Sequence, residues 1–308
     1  MSERASTPPR GRLVRLAAAC VVLLGLAGYL LVRHDPGGSG PARCTVTAAG
    51  DGEPYVIEPQ QAANAATIEA VASARGLPER AVTIALATAM QESALRNIDY
   101  GDRDSVGLFQ QRPSQGWGTP EQIMDPVYAA GKFYDHLVEI PGYSRLPLTV
   151  AAQRVQRSGF PDAYAKHESR AALLTAALTG RRAASLTCVP DAGGSTVAGD
   201  PVRVREKLVR EFGEDVLPDS ARVGGGGSGR SAPDPVLSVP VHTPARGTET
   251  DVDRRGWEVA HWAVAHSFEL GIERVSYGKR VWEADRAEEG WRTTEDAYRS
   301  EVVIVTAR

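Results

Sequence analysis

Glu92 has the residue type and the position for acid–base chemistry. Across a helix expected over residues 78–96, Val82, Ala85, Ala89 and Glu92 fall on one face, so a carboxyl group continues an apolar stripe. Burial disfavours the charged form, and so does the negative end of the helix dipole near the last turn. Both predict a raised pKa. A carboxylic acid that stays protonated near neutral pH can give a proton to a leaving oxygen, as glycosidic cleavage requires. Read by itself, Glu92 could equally pair with Arg96 one turn later. Around it stand Asp99, Asp102 and Asp104, turn formers that could also orient water or a hydroxyl, and Tyr100, Phe109 and Trp117, which suit either sugar stacking or a core. No second glutamate follows at a spacing that marks a nucleophile, so a one-acid mechanism fits better than a two-carboxylate one.

Gln91-Glu92-Ser93-Ala94-Leu95, followed by Ser105-Val106-Gly107-Leu108-Phe109-Gln110, resembles the lysozyme-like, soluble lytic transglycosylase family, in which an E-S helix end precedes a G-L-x-Q turn. The resemblance covers residues 59–180. It implies cleavage of peptidoglycan glycan strands between N-acetylmuramic acid and N-acetylglucosamine, with Glu92 as the catalytic acid. Gln110 would line the sugar groove; beside it Ser93 and, as a stacking ring, Phe109 are expected to contact substrate, and no cofactor or metal is expected. Glu92 would protonate the glycosidic oxygen and then act as base while the muramic acid 6-hydroxyl closes to a 1,6-anhydro product; attack by water would make the protein a muramidase. One departure stands out: Ala151-Ala152-Gln153-Arg154-Val155-Gln156 occupies the place of an A-A-Y-N-A-G-like segment, without its Tyr-Asn pair. Gln153 or Gln156 would then offer amide contacts to an N-acetyl group, or be solvated helix residues. Tyr164 would match a tyrosine that lies near the acid in relatives, or be a core aromatic.

The elements that must position these residues are mostly helices. Ala63, Ala66, Ala70 and Ala74 keep a helical spacing with Ile68 and Val71, and Gly76 can end that helix in the left-handed conformation. Thr119-Pro120-Glu121-Gln122 reads as a capped helix start, and Asp125-Pro126 as a second. Further helices are expected at 149–157 and 161–178, with one extended piece at 106–110. A span of 308 residues suggests two domains, and 31 glycines with 20 prolines imply linkers between them. The net charge of -3 gives no general attraction to nucleic acid.

Residues 16–32 are uncharged and apolar and follow Arg4, Arg10, Arg12 and Arg15. They predict a single-pass anchor, with a cleaved signal peptide as the rival reading, a cytoplasmic tail over 1–15 and an extracytoplasmic remainder at the cell membrane. Cys44 and Cys188 bracket the helical region, and an even pair in an oxidising compartment predicts a disulfide. The expected order is a linker over 33–58, a lysozyme-like domain over 59–190, a linker with a charged helix over 191–250, and a small module over 251–308. In that module a helix over 253–270, a hairpin turning at Gly278-Lys279 and a strand at 302–306 are expected. Its sequence is similar to a module of secreted cell-wall proteins from GC-rich Gram-positive bacteria, where it can resemble zinc D,D-peptidases. Here His242 and Asp251 have the wrong spacing for such a metal site, and His261 and His266 fall on different helix faces.

The fold class expected is thus a mainly α lysozyme-like domain plus a small α+β C-terminal domain, after one N-terminal transmembrane helix. Peptidoglycan, the membrane and a cell-wall protein bound through the C-terminal module are the expected partners. The competing reading is a noncatalytic, membrane-anchored wall-binding scaffold.

Overall fold

A computed structural model describes residues 40–307 except positions 49, 51, 158–161, 192–196, 218–234 and 242–248. Helix α1 (Pro59–Ala74) starts at a reciprocal cap, in which the side chains of Glu58 and Gln61 each accept from the other residue's backbone N–H, with Pro59 in the first turn. It closes at Arg75 and Gly76, the latter at φ +62°. Helix α2 (Glu79–Ser93) packs along α6 (Glu168–Leu178), where the Thr83 and Thr175 hydroxyls meet at 3.0 Å.

The short α3 (Pro120–Ile123) and α4 (Pro126–Val138) begin at the caps legible in the sequence. Thr119 accepts from the Gln122 N–H while the Gln122 side chain accepts from that of Thr119, and Asp125 accepts from the Val127 N–H. Helix α5 (Leu148–Gln156) packs on α4 and carries Gln153 and Gln156. The extended piece near 106–110 is a single bridge between Val106 and Gln111.

Three strands tie off the helical region: β1 (Arg43–Val46), β2 (Tyr55–Ile57) and β3 (Leu186–Val189), antiparallel in the order β2-β1-β3. Cys44 and Cys188 face each other in the β1–β3 register and are disulfide-bonded. The second sheet has the order β4-β6-β5, from β4 (Val236–Pro240), β5 (Ile272–Glu283) and β6 (Arg292–Thr306). No turn forms at Gly278-Lys279. The strand continues through a register shift at Gly278, at φ +59°, and the chain reverses after Glu283 instead.

The charged helix α7 (Pro201–Phe212) buries Val204, Leu208 and Phe212, and packs on α1. Helix α8 (Glu249–Ala265) lies between α1 and α6 on one side and β5 and β6 on the other, followed by the single-turn α9 (Ser267–Leu270). Its approach to the first helices is close enough that a side-chain carbon at Gly180 would meet the Arg254 carbonyl at 1.8 Å.

The expected fold class is corrected by this arrangement. Residues Pro41–Arg308 form one compact unit in which, among the described residues, nine α-helices and two three-stranded antiparallel sheets share one hydrophobic core running from Cys44 to Ile304. The apolar face of α8, with Trp257 and Trp262, seals against the helical region, where the sequence pattern suggested a separate α+β module. The expected transmembrane helix over 16–32 lies outside the described residues. Among the described residues no helix is long and apolar enough to cross a membrane. The longest, α8, has 17 residues and carries Asp251, Asp253, Arg254, Arg255 and Glu258, whereas a span needs about 20 apolar ones. This corrects the expected placement as a single-pass cell-membrane protein with an extracytoplasmic catalytic domain, for which the described residues supply no spanning helix.

Candidate active site

Glu92 occupies the last turn of α2, and the chain leaves that helix by an unusual route. Ala94 at φ +53° and Leu95 at φ +61° are consecutive left-handed residues, neither of them glycine. Two side chains of α1 hold this exit: the Gln61 amide donates to the Ala94 carbonyl at 2.7 Å and the Asn64 amide to the Leu95 carbonyl at 2.8 Å. Buried Leu95 anchors the turn from below.

The carboxyl group is partly buried. The buried Tyr164 hydroxyl donates to Glu92 Oε1 at 2.7 Å, and the Gln156 amide is a second hydrogen-bond partner. Desolvation raises the Glu92 pKa above the ordinary carboxylate value, and the bonds from Tyr164 and Gln156 oppose it without cancelling it. Arg96 takes no part, because its guanidinium is paired with Glu58 at 2.6 Å. The alternative of a surface Glu92–Arg96 pair is thereby excluded.

The second half of the motif is fastened to the first through Ser93. Its hydroxyl donates to the Leu108 carbonyl at 2.8 Å, and also to the Ala89 carbonyl one turn back. Gln156 donates to the Phe109 carbonyl at 2.7 Å, so this one amide touches both the acid and the 107–110 turn. Phe109 contributes its backbone only: its ring is fully buried and stacks on Phe133 at 4.7 Å. Gln110, at φ +48°, donates weakly to the Tyr100 and Gly107 carbonyls at 3.3 Å and lines the adjoining groove. Gly101 makes room for it, since a side-chain carbon there would lie 1.9 Å from Gln110 Oε1.

The five residues expected around Glu92 are thus brought to one place, in different ways. Tyr164 and Gln156 touch the carboxyl group, Ser93 and Phe109 fix the turn, and Gln110 faces the groove. Among the loop aspartates, Asp104 accepts from the Ser114 backbone at 2.8 Å and from Arg112 at 2.9 Å, and these bonds, the Ser114 one foremost, hold its pKa well below the usual range. Asp99 and Asp102 are exposed. Trp117 is partly buried with its ring edge against His136, and Tyr100 is 70% exposed.

Sequence reasoning missed Gln61 and Asn64, whose alanine-rich helix carried no sign of a distant partner. It also missed Gln111, which is buried and donates to the Ala129 carbonyl at 3.0 Å. In the C-terminal part, His261 Nδ1 lies 2.7 Å from the Ala177 carbonyl and Nε2 accepts from the Ser185 N–H at 3.2 Å, so the ring is a buried link between elements. His266 sits in a cluster with Glu211, Glu269 and Lys207. No group of three or more His, Cys, Asp or Glu residues able to hold a metal occurs among the described residues, and His242 lies outside them.

Compared with protein families, residues 237–301 match the model described as VldE, C-terminal domain. No curated protein matches the chain. The family match runs from β4 into β6 and includes none of the residues around Glu92.

Proposed function

We propose that this protein cleaves the glycan strands of peptidoglycan, with Glu92 as the general acid, by lytic transglycosylase or muramidase chemistry. The observation that carries the reading is the environment of Glu92. Its carboxyl group has a pKa raised by burial, is oriented by the Tyr164 hydroxyl and the Gln156 amide, and adjoins an open groove through Gln156. Such a group keeps its proton to higher pH than an ordinary carboxyl, and the carboxylate left after proton transfer has two donors in place to stabilise it. The neighbouring acid with the most contacts, Asp104, is consumed by Arg112 and Ser114, which favours one acid acting in both steps over a pair. The resemblance of the 91–95 and 105–110 segments to soluble lytic transglycosylases supplies the substrate class.

The test is digestion of purified peptidoglycan by the full chain, with the products identified by mass spectrometry. Wild type is expected to release soluble fragments, and Glu92→Gln to lower the rate by roughly a hundredfold to ten-thousandfold. Anhydro ends identify a transglycosylase, and reducing ends a muramidase. Equal release by wild type and Glu92→Gln removes Glu92 from the chemistry. Intact sacculi with both proteins reject the activity.

A further inference from the structure

A groove of about 410 Å³ opens beside Glu92 and shares Gln110 and Gln156 with the site. Its charge is one-sided. Arg112, Arg154 and Arg157 line it, with Glu139 as the only carboxylate in its wall. Arg112 is neutralised by Asp104, and Glu139 lies 4.0 Å from His136. Arg154 and Arg157 are exposed and form no ion pair among the described residues, so two guanidinium groups without an ion-pair partner line the groove. Arg154 belongs to the segment that departs from the resembled pattern, and Arg157 follows it as the cap of α5.

The inner wall adds a second kind of demand. Gln111 is 2% exposed and its Nε2 donates to the Ala129 carbonyl, which turns Oε1 away from that bond; Oε1 accepts no hydrogen bond among the described residues. Gln156 is alike: Nε2 donates to the Phe109 carbonyl and Oε1 is buried and unpartnered. Unpaired buried acceptors are costly, and a ligand N–H group relieves that cost. The wall of the groove therefore holds two residues with unpartnered, buried amide oxygens, and cationic groups stand at its rim. A ligand that complements both has backbone-like N–H donors and carboxylates. A phosphodiester polymer has the negative charge but lacks the donors, and a neutral glycan lacks the charge.

We infer that this groove is a subsite for the acidic peptide carried by a muramic acid residue, so that the protein selects glycan strands bearing peptide stems over bare ones. The inference rests on the proposed function for its substrate class and extends it from the sugar to the substituent. Arg154 and Arg157 are specificity residues in this role, with guanidinium groups suited to bidentate contact with carboxylates.

Binding, read separately from turnover, tests it. Full-length Glu92→Gln protein is titrated calorimetrically with an N-acetylmuramoyl dipeptide ending in glutamate, and with an N-acetylglucosamine trimer as the neutral probe. The muramoyl peptide is expected to bind about tenfold more tightly than the trimer, and the Arg154→Gln/Arg157→Gln pair to erase that difference. Arg157 has a left-handed backbone at φ +51°, so Arg154→Gln alone serves as the second variant, with unfolding temperatures measured for both. Equal affinity for the two probes, no binding of the peptide, or a preference that survives both variants overturns the subsite. Because these readouts do not need catalysis, they stand apart from a failure of Glu92 to cleave.

Discussion

At Glu92 two influences oppose each other, and their balance sets when the acid is available. Burial holds the proton on, while the Tyr164 hydroxyl and the Gln156 amide stabilise the carboxylate. Removing one donor leaves burial less opposed. In Tyr164→Phe the Glu92 pKa therefore rises further, and the alkaline limb of the kcat/KM–pH profile moves to higher pH. The rate itself is expected to fall by roughly tenfold, as orientation of the acid is lost. A limb that stays in place would separate Tyr164 from the titrating group. The same burial carries a stability cost: an acid whose folded pKa is raised contributes stability below its unfolded value, which is lost as pH rises through the folded one. Glu92→Gln is expected to unfold at a higher temperature than wild type at pH 7 and to lose that advantage below about pH 4. Paired thermal scans at the two pH values measure it.

At the scale of elements, the feature that aims the acid is the end of α2. Two left-handed non-glycine residues, each costing about 1–2 kcal/mol, persist because Gln61 and Asn64 hold both carbonyls. Ala94 is exposed, so only its backbone pays this cost. Ala94→Gly relieves the strain but gives the unfolded chain more freedom, leaving an expected net gain of about 0.5–1 kcal/mol in urea denaturation. Helix starts such as Thr119 and Asp125 were legible because a cap is made by residues within one turn. The exit from α2 was not, because its partners lie about thirty residues earlier on α1. The hairpin expected at Gly278 failed for a related reason: a left-handed glycine suits a turn or a bulge, and only pairing with β6 decides between them.

In the molecule as a whole, the covalent and buried polar links fall between segments distant in sequence. The Cys44–Cys188 bond closes a separation of 144 residues, which in the chain-entropy model is worth about 4–5 kcal/mol. Cys44→Ala/Cys188→Ala is expected to lower the unfolding temperature markedly, and reduction of wild type to approach the same value. His261 joins α6 to the strand region, and burial depresses its pKa to about 4. The unfolded imidazole gains a proton below about 6.5, so stability rises with pH between about 4 and 6.5 and is level above. That difference amounts to about 3 kcal/mol. In His261→Gln the loss on acidification from pH 7 to pH 4.5 is expected to be smaller, as read from urea midpoints. An equal loss in both proteins would assign the acid sensitivity elsewhere. Glu211 and Glu269 act in a lower window: burial raises Glu211 but His266 and Lys207 outweigh it, and a His266 hydrogen bond leads for Glu269, placing both near 2.

The chain by itself determined the local decisions: where helices begin, that a carboxyl group continues an apolar face, and that two cysteines enclose the helical region. Each depends on residues within a turn or two, or on a count that needs no geometry. Tertiary structure decided that Tyr164 and Gln156 meet Glu92, that Phe109 offers a carbonyl while its ring fills the core, and that Arg96 pairs with Glu58. It also decided that α8 and the second sheet share a core with the first helices. A partly apolar helix face shows that burial is needed; the element that supplies the opposing surface is chosen only when distant segments pack together.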